Sequence, residues 1–209
     1  MARVVKHACS KEEMRLAMDV GLFELVILGT ALLAAVSIVV GTIRYGISPM
    51  PSSRKAQQAM LSLMPEQTQG VVYELGSGWG QLACKAAAQC PQAQVVGVEA
   101  SLVPWLMSKL LGLAWRAKNA RFRLGNFEKQ NLRDGGLVLC YLYPGAMTQL
   151  AERFGNELRP GTVIITNTFR LPGWTPETTI ELEDMHRTPV YRYIVPSGDN
   201  EGRIESAQP

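Results

Sequence analysis

Val72 to Ala83 reads VYELGSGWGQLA, an apolar run carrying the carboxylate of Glu74 and closing in three glycines, Gly76, Gly78 and Gly80, spaced G-x-G-x-G. A short apolar run bounded by glycine has the pattern of a strand buried on both faces of a parallel sheet. The residues that follow, Gln81 to Gln89, are rich in helix formers and stop at Cys90-Pro91. A strand that turns through glycines into a helix places its loop beyond the strand's carboxyl end, where open α/β sheets hold their ligands. Glycine permits positive φ and close backbone approach there, and the first helical turn offers unpaired amides. A nucleotide-containing cofactor is the expected guest. Two familiar guests do not fit: Gln81 stands where the dinucleotide fingerprint needs its third glycine, and no G-K-[ST] follows to make a P-loop.

Outward from this loop, strand-like and helix-like stretches alternate. Ala93 to Glu99 (AQVVGVE) reads as a second strand, and Val103 to Lys118 as a helix with Leu106, Leu110, Leu113 and Ala114 at helical spacing. Ala120 to Leu124 and Leu137 to Tyr143 read as strands three and four. A helix over Ala146 to Leu158 ends at Arg159-Pro160-Gly161, and a fifth strand covers Thr162 to Phe169. Thr179 to Glu183 and Val190 to Val195 alternate as a terminal hairpin. The succession predicts an α/β domain over residues 70–195, a doubly wound Rossmann-like sheet with a C-terminal β-hairpin. The tail, 196–209, has almost nothing to bury and is expected to be disordered.

Upstream lies LVILGTALLAAVSIVVGTI, Leu25 to Ile43, nineteen residues without a charge. At about 1.5 Å per residue this matches a hydrocarbon core of about 30 Å. The expectation is one N-terminal transmembrane helix over 20–43, preceded by an arm, 1–19, and too long and too late in the chain for a cleaved signal peptide. Basic residues flank it on both sides, so their count leaves its orientation open. Ala31 and Ala35 form a small-xxx-small pair that permits helix pairing. Residues 44–69 read as a linker broken by Pro49 and Pro51, with a helix from about Arg54 to Leu63 capped by Ser52 or Ser53. That helix is placed to act either as a lid on the ligand or as a spacer.

Composition narrows the partners. With 21 basic and 18 acidic side chains among 209 residues, the net charge of +3 gives no footprint of a nucleic-acid binder. Cys9, Cys84, Cys90 and Cys140 make no CxxC pair, and His7 and His186 have no ligand-spaced companions, so no metal site is expected.

The string ELGSGWG with an acid ending strand one (Glu74), an acid ending strand two (Glu99) and Asn126 just past strand three resembles the class I S-adenosylmethionine-dependent methyltransferases. The resemblance implies S-adenosyl-L-methionine as cofactor. Glu74 and the loop Gly76, Ser77, Gly78, Trp79 and Gly80 would receive its methionine end, Glu99 its ribose hydroxyls, and Asn126 with Phe127 would border the adenine. An acid ending the second strand also faces the ribose on general grounds.

A narrower resemblance covers most of the chain. The apolar N-terminal segment, SPMPSS (Ser48 to Ser53), the glycine loop, LYPGAM (Leu142 to Met147) and FRLPGWTP (Phe169 to Pro176) are similar to the small membrane-anchored protein-lysine methyltransferases. Their eukaryotic members include mitochondrial enzymes that modify the ATP synthase c-subunit and the adenine nucleotide translocase. The chain departs from that family at Trp79-Gly80, where Asp-Gly is frequent, and at Tyr141-Leu142-Tyr143-Pro144, which aligns loosely. The resemblance implies a bacterial relative held in the inner membrane by a single pass, its catalytic domain in the cytoplasm where the cofactor is made. The implied acceptor is a lysine amine of a membrane or membrane-associated protein, with Tyr141, Tyr143, Pro144 and Trp174 as candidate walls of the substrate site. Tyr141 packing in its strand and Trp174 stapling a loop are the ordinary readings of the same residues. Two other functions stay open, methylation of a lipid or quinone and a non-catalytic tethered binding module.

Overall fold

The computed structural model describes residues 21–33, 35, 36, 39 and 52–197. Helix α1 holds residues 21–33, 35, 36 and 39. The remaining elements, in chain order, are α2 (Arg54–Ser62), β1 (Val71–Leu75), α3 (Gln81–Gln89), β2 (Val95–Glu99), α4 (Leu102–Ala114), β3 (Ala120–Leu124), a 3-10 turn (Phe127–Lys129), β4 (Gly135–Cys140), α5 (Pro144–Glu157), β5 (Val163–Asn167), β6 (Thr178–Glu181) and β7 (Pro189–Ile194).

The strands make a single sheet in the order β3-β2-β1-β4-β5-β7-β6. The first five are parallel, and β7 closes the run antiparallel to β5. The chain starts in the middle, moves outward through β2 to β3, then returns to the other side of β1. The switch point therefore lies between β1 and β4, at the carboxyl end that carries the glycine loop. Residues of β1, β2, β4 and β5 are almost all buried, which is why they read as continuous apolar runs. One core layer packs α2 and α3 on the sheet through Ala56, Met60, Ala83, Ala86 and Ala87. The other packs α5 through Met147, Leu150, Ala151 and Phe154. Small alanines on α3 let the helix lie close to β2 and β3, which brings the glycine loop down onto the strand ends.

Several expected boundaries move. The fourth strand, expected over 137–143, starts at Gly135 and ends at Cys140, because its neighbours give it nothing to pair with beyond Leu75 and Thr166. Tyr141 to Tyr143 therefore leave the sheet, with Leu142 buried against Gly76. Helix α4 stops at Ala114 rather than Lys118. Ala117 N–H bonds Gly112 O, Arg116 N–H bonds Leu113 O, and Arg116 takes φ 54°, a Schellman ending without glycine. Helix α5 begins two residues earlier than expected, at Pro144, whose missing N–H costs nothing at a first helical position. The fifth strand closes at Asn167 because Thr168 turns at φ 69°. Ser53 is the cap of α2, its Oγ accepting from Ala56 N–H at 3.1 Å.

The expected membrane span over 20–43 is not met by the described residues: none of their helices is long and apolar enough to cross a membrane. Within α1, Leu22, Phe23, Leu25, Leu28, Leu32 and Leu33 are all exposed. Residues 20, 34, 37, 38 and 40–43 of that span, the arm 1–19, linker residues 44–51 and tail residues 198–209 lie outside the described residues.

Candidate functional site

Beyond Leu75 the backbone turns through Gly76, Gly78 and Gly80 at φ 72°, 52° and 79°. At Gly80 a Cβ would also come within 2.6 Å of Ser108 Cβ and 2.8 Å of the Phe122 ring, so α4 and β3 close over that turn. Nothing stands within 4 Å of a Cβ at Gly78, which faces open space. Gly76 and Ser77 N–H both donate to Val98 O, at 2.9 and 3.0 Å, so the loop continues the hydrogen bonding of β2. Two strand ends and a helix start are thereby locked together.

Glu99 completes the lock. It is 8% exposed, with Oε2 accepting from Gly78 N–H and Oε1 from Ser101 N–H, both at 2.8 Å. An ionised carboxylate has about four acceptor positions, so about two stay free for hydroxyl donors. Glu74, 6% exposed, accepts from Ala83 N–H in the first turn of α3 at 2.9 Å. Burial pushes its carboxyl up to about 8; the Ala83 bond pulls downward, and the charge of Glu99 adds to the rise. Ser77 Oγ is buried and has no hydrogen-bond partner among the described residues.

Glu74, Gly76, Ser77 and Gly78 line a cleft together with Ser52, Gln57, Trp79, Gln81, Leu82, Cys140 and Tyr141, and Glu99 adjoins it through the Gly78 amide. Its α2 wall is held by a polar chain: Lys85 Nζ donates to Gln57 Oε1 at 2.6 Å, and Gln57 Nε2 donates to Ser52 O and to Gln81 Oε1. Gln57 was invisible to pattern reading, being a buried polar residue beside Ala56, Ala59 and Met60 on the apolar side of its helix.

Of the expected site residues, the structure brings together Glu74, Gly76, Ser77, Gly78, Trp79, Tyr141 and, through Gly78, Glu99. Others stand elsewhere. Asn126 caps the 3-10 turn, its Oδ1 accepting from Glu128 N–H, and Phe127 is buried in the core layer under α5. Tyr143 precedes α5 and lays its ring beside Gly145, while Pro144 is exposed. Trp174 donates Nε1–H to Ala151 O at 3.1 Å and meets Tyr193 edge-on, pinning the loop after β5 to α5.

Residues 74–178 match the model of the ANTKMT methyltransferase domain. The chain belongs to that family. A protein-lysine N-methyltransferase of Saccharolobus islandicus is 27% identical over 150 residues, covering 70% of this chain and 92% of that one. The adenine nucleotide translocase lysine N-methyltransferase of Mus musculus is 29% identical over 141 residues, 66% of this chain and 60% of that one. The lysine N-methyltransferase of the ATP synthase c-subunit, from the same species, is 29% identical over 133 residues, 62% of this chain and 52% of that one. Among solved structures, an RNA methyltransferase from Salinibacter ruber in complex with S-adenosyl-L-homocysteine superposes with a TM-score of 0.67 at 26% identity. That likeness covers 74% of this chain and 99% of the other.

The fold is thus the Rossmann-like sheet of the S-adenosylmethionine-dependent methyltransferases, and S-adenosyl-L-methionine is the cofactor of the family. The residues of this methyltransferase fit such a group. An unpartnered buried Ser77 Oγ, an open face at Gly78, and a carboxylate with free acceptor positions at the end of β2 are donors and acceptors suited to a nucleoside and an amino acid.

Glu74 makes a test of this electrostatic reading in the unliganded protein. Its carboxyl sits near 8 when folded against an ordinary 4.5, so between those values the native chain holds more protons than the unfolded one. Stability is then full below about 4.5 and falls as pH climbs toward about 8, with a slope of at most about 1.4 kcal/mol per pH unit. Glu74→Gln should flatten that slope, so urea midpoints of the variant exceed those of the parent increasingly toward pH of about 8.

Proposed function

We propose that this methyltransferase moves a methyl group from S-adenosyl-L-methionine to the ε-amine of a lysine on a membrane or membrane-associated protein. The observation that carries the reading is the chemistry of the cleft: among the described residues the one acidic or basic side chain that lines it is Glu74, whose carboxyl burial pushes up to about 8, and its β4 side is Cys140 and Tyr141. The names of the relatives from Saccharolobus islandicus and Mus musculus support a lysine acceptor.

When bound, the cofactor supplies a methyl group activated by its sulfonium. Glu99 would hold the ribose hydroxyls through its free acceptor positions, and Glu74 with Ser77, Gly78 and Trp79 would receive the methionine end. Asn126, next to Gly125 whose N–H bonds Glu99 O, would border the adenine, whereas Phe127 packs in the core layer under α5. A cationic ligand beside Glu74 favours its ionised form, so uptake of the cofactor releases a proton there. The acceptor lysine must arrive neutral, and an uncharged, aromatic wall at Tyr141 disfavours its ammonium form. Tyr143 and Pro144, at the start of α5, would extend that wall, while Trp174, bonded to Ala151 O further along α5, stands apart from it. What the chain contributes is alignment and exclusion of water rather than a general base.

The uncharged stretch Leu25 to Ile43 supports a membrane anchor, with the catalytic domain on the cytoplasmic side of a bacterial inner membrane. Purified chain incubated with methyl-labelled cofactor and a membrane fraction should place label in a protein band, on lysine by mass spectrometry. Label in the lipid extract or in RNA would refute the lysine acceptor, and no label in any fraction would refute methyl transfer.

A further inference from the structure

Helix α4 turns an apolar face outward. Leu102, Leu106, Leu110 and Leu113 follow one another at helical spacing and are 50–78% exposed, with Met107 and Trp115 beside them at 45% and 50%. Only Pro104 and Ser108 of the helix are buried, and Gly112 lets its inner side rest on the Phe122 ring. Leu124, at the end of the neighbouring edge strand, is 48% exposed and prolongs the patch. Contiguous exposed leucines of this kind mark a surface that meets something apolar.

What it meets is indicated by charge. Between Glu99 and Glu128 there is no carboxylate, while α4 and the turn after it carry Lys109, Arg116 and Lys118, three positive charges; Arg121 and Arg123, alternating with Phe122 along β3, belong to the other face of the sheet. Lys109 folds its ammonium over the Trp105 ring at 4.8 Å, and Trp115 closes the helix. Leucine in the centre, tryptophan at the margin and lysine or arginine around it is the composition of a helix lying in the headgroup boundary of an anionic bilayer. A second protein copy would need acidic groups facing this rim, and an RNA would leave the leucines uncovered.

We infer that the outer face of α4, with Leu124, docks the catalytic domain on an anionic lipid surface, as a contact separate from the N-terminal apolar segment. The inference extends the membrane reading above and fails or survives apart from it. Because α4 runs back along β2 and β3, docking lays the sheet parallel to the bilayer. Its strand ends, and the cleft, then open along the membrane surface, where a lysine just outside the lipid can be reached.

The full chain is reconstituted in vesicles of phosphatidylcholine, or of equal parts phosphatidylcholine and phosphatidylglycerol, with acyl chains brominated in each case to quench tryptophan. Flotation of protein with vesicles at high salt reports the N-terminal segment. Quenching that disappears in Trp115→Phe reports α4. The expected result is Trp115 quenching in anionic vesicles only, reversed by salt. It should be abolished by Leu110→Asp and weakened roughly fivefold in lipid titre by each of Arg116→Gln and Lys118→Gln. Both positions are exposed, and cofactor binding by calorimetry shows that the variants are folded. No Trp115 quenching in either vesicle, with flotation intact, overturns the docking face while leaving the anchor standing. So does self-association in detergent that Leu110→Asp abolishes, or RNA binding that the glutamine variants abolish, without quenching.

Discussion

Glu99→Ala is expected to weaken S-adenosyl-L-methionine binding by about a hundredfold while the domain still folds. The size follows from what the side chain joins. Its two oxygens take the amides of Gly78 and Ser101, each at 2.8 Å, in a place almost closed to water. Hydrogen bonds to a charged group contribute about 1.5–3 kcal/mol each, and the variant loses those that would reach the ribose. It also frees two amides that hold the loop shape. An alanine cannot hold Gly78 against the end of β2, so the open face at that glycine widens and the cradle is less organised before the ligand arrives. The fold survives because β1 and β2 remain joined from Val72 to Leu75 and the loop amides of Gly76 and Ser77 still donate to Val98 O. Calorimetry with the cofactor and a urea titration separate the two effects. Unchanged affinity would remove Glu99 from the site.

How much of this could be read from residues alone depended on whether a feature was local. α3 and β3 stand at the boundaries expected for them, and the G-x-G-x-G loop sits between β1 and α3 as expected. Each is a buried or edge strand, or a helix, bounded by its own glycines and prolines. The errors lie where tertiary partners decide. Leu137 to Tyr143 is apolar throughout, yet the strand ends at Cys140 because its neighbours end there. Gly135 and Gly136, ahead of the apolar run, start that strand. For the site, glycine geometry and the acid at the end of β2 were legible. The partner of Glu99 was not: an amide 21 residues back in the chain is set by sheet register. Gln57 in the cleft wall and the Trp174 bond to Ala151 likewise depend on helix packing that no periodicity encodes. Leu106, Leu110 and Leu113 keep the helical spacing read for them, and they point to solvent, a placement that spacing alone does not decide.

The largest loss of stability is expected at Gly136, with Gly136→Val leaving little folded protein. β4 carries an irregularity opposite Val71 and Val72: Gly135 pairs with Val71 and Leu137 with Val72, so Gly136 is the extra residue. The chain entering β1 passes directly over it. A Cβ at Gly136 would lie 1.6 Å from Gln69 O and 2.6 Å from Gln69 C, backbone atoms that no rotamer change can move. Gly70 is held just as tightly, at φ 92° with its own Cβ position 2.5 Å from Asp134 O, so the entering strand cannot back away without losing the Val71 N–H bond to Asp134 O. Relief requires breaking the start of the β1–β4 ladder, the central pair of the sheet. The expected cost is about 3–5 kcal/mol, against a typical net stability of about 5–15 kcal/mol. Gly125→Ala is the comparison, since nothing stands within 4 Å of a Cβ there and its φ is not positive, and its urea midpoint should match the parent's. A Gly136→Val protein that unfolds at the parent's midpoint would show that β1 enters the sheet by another path.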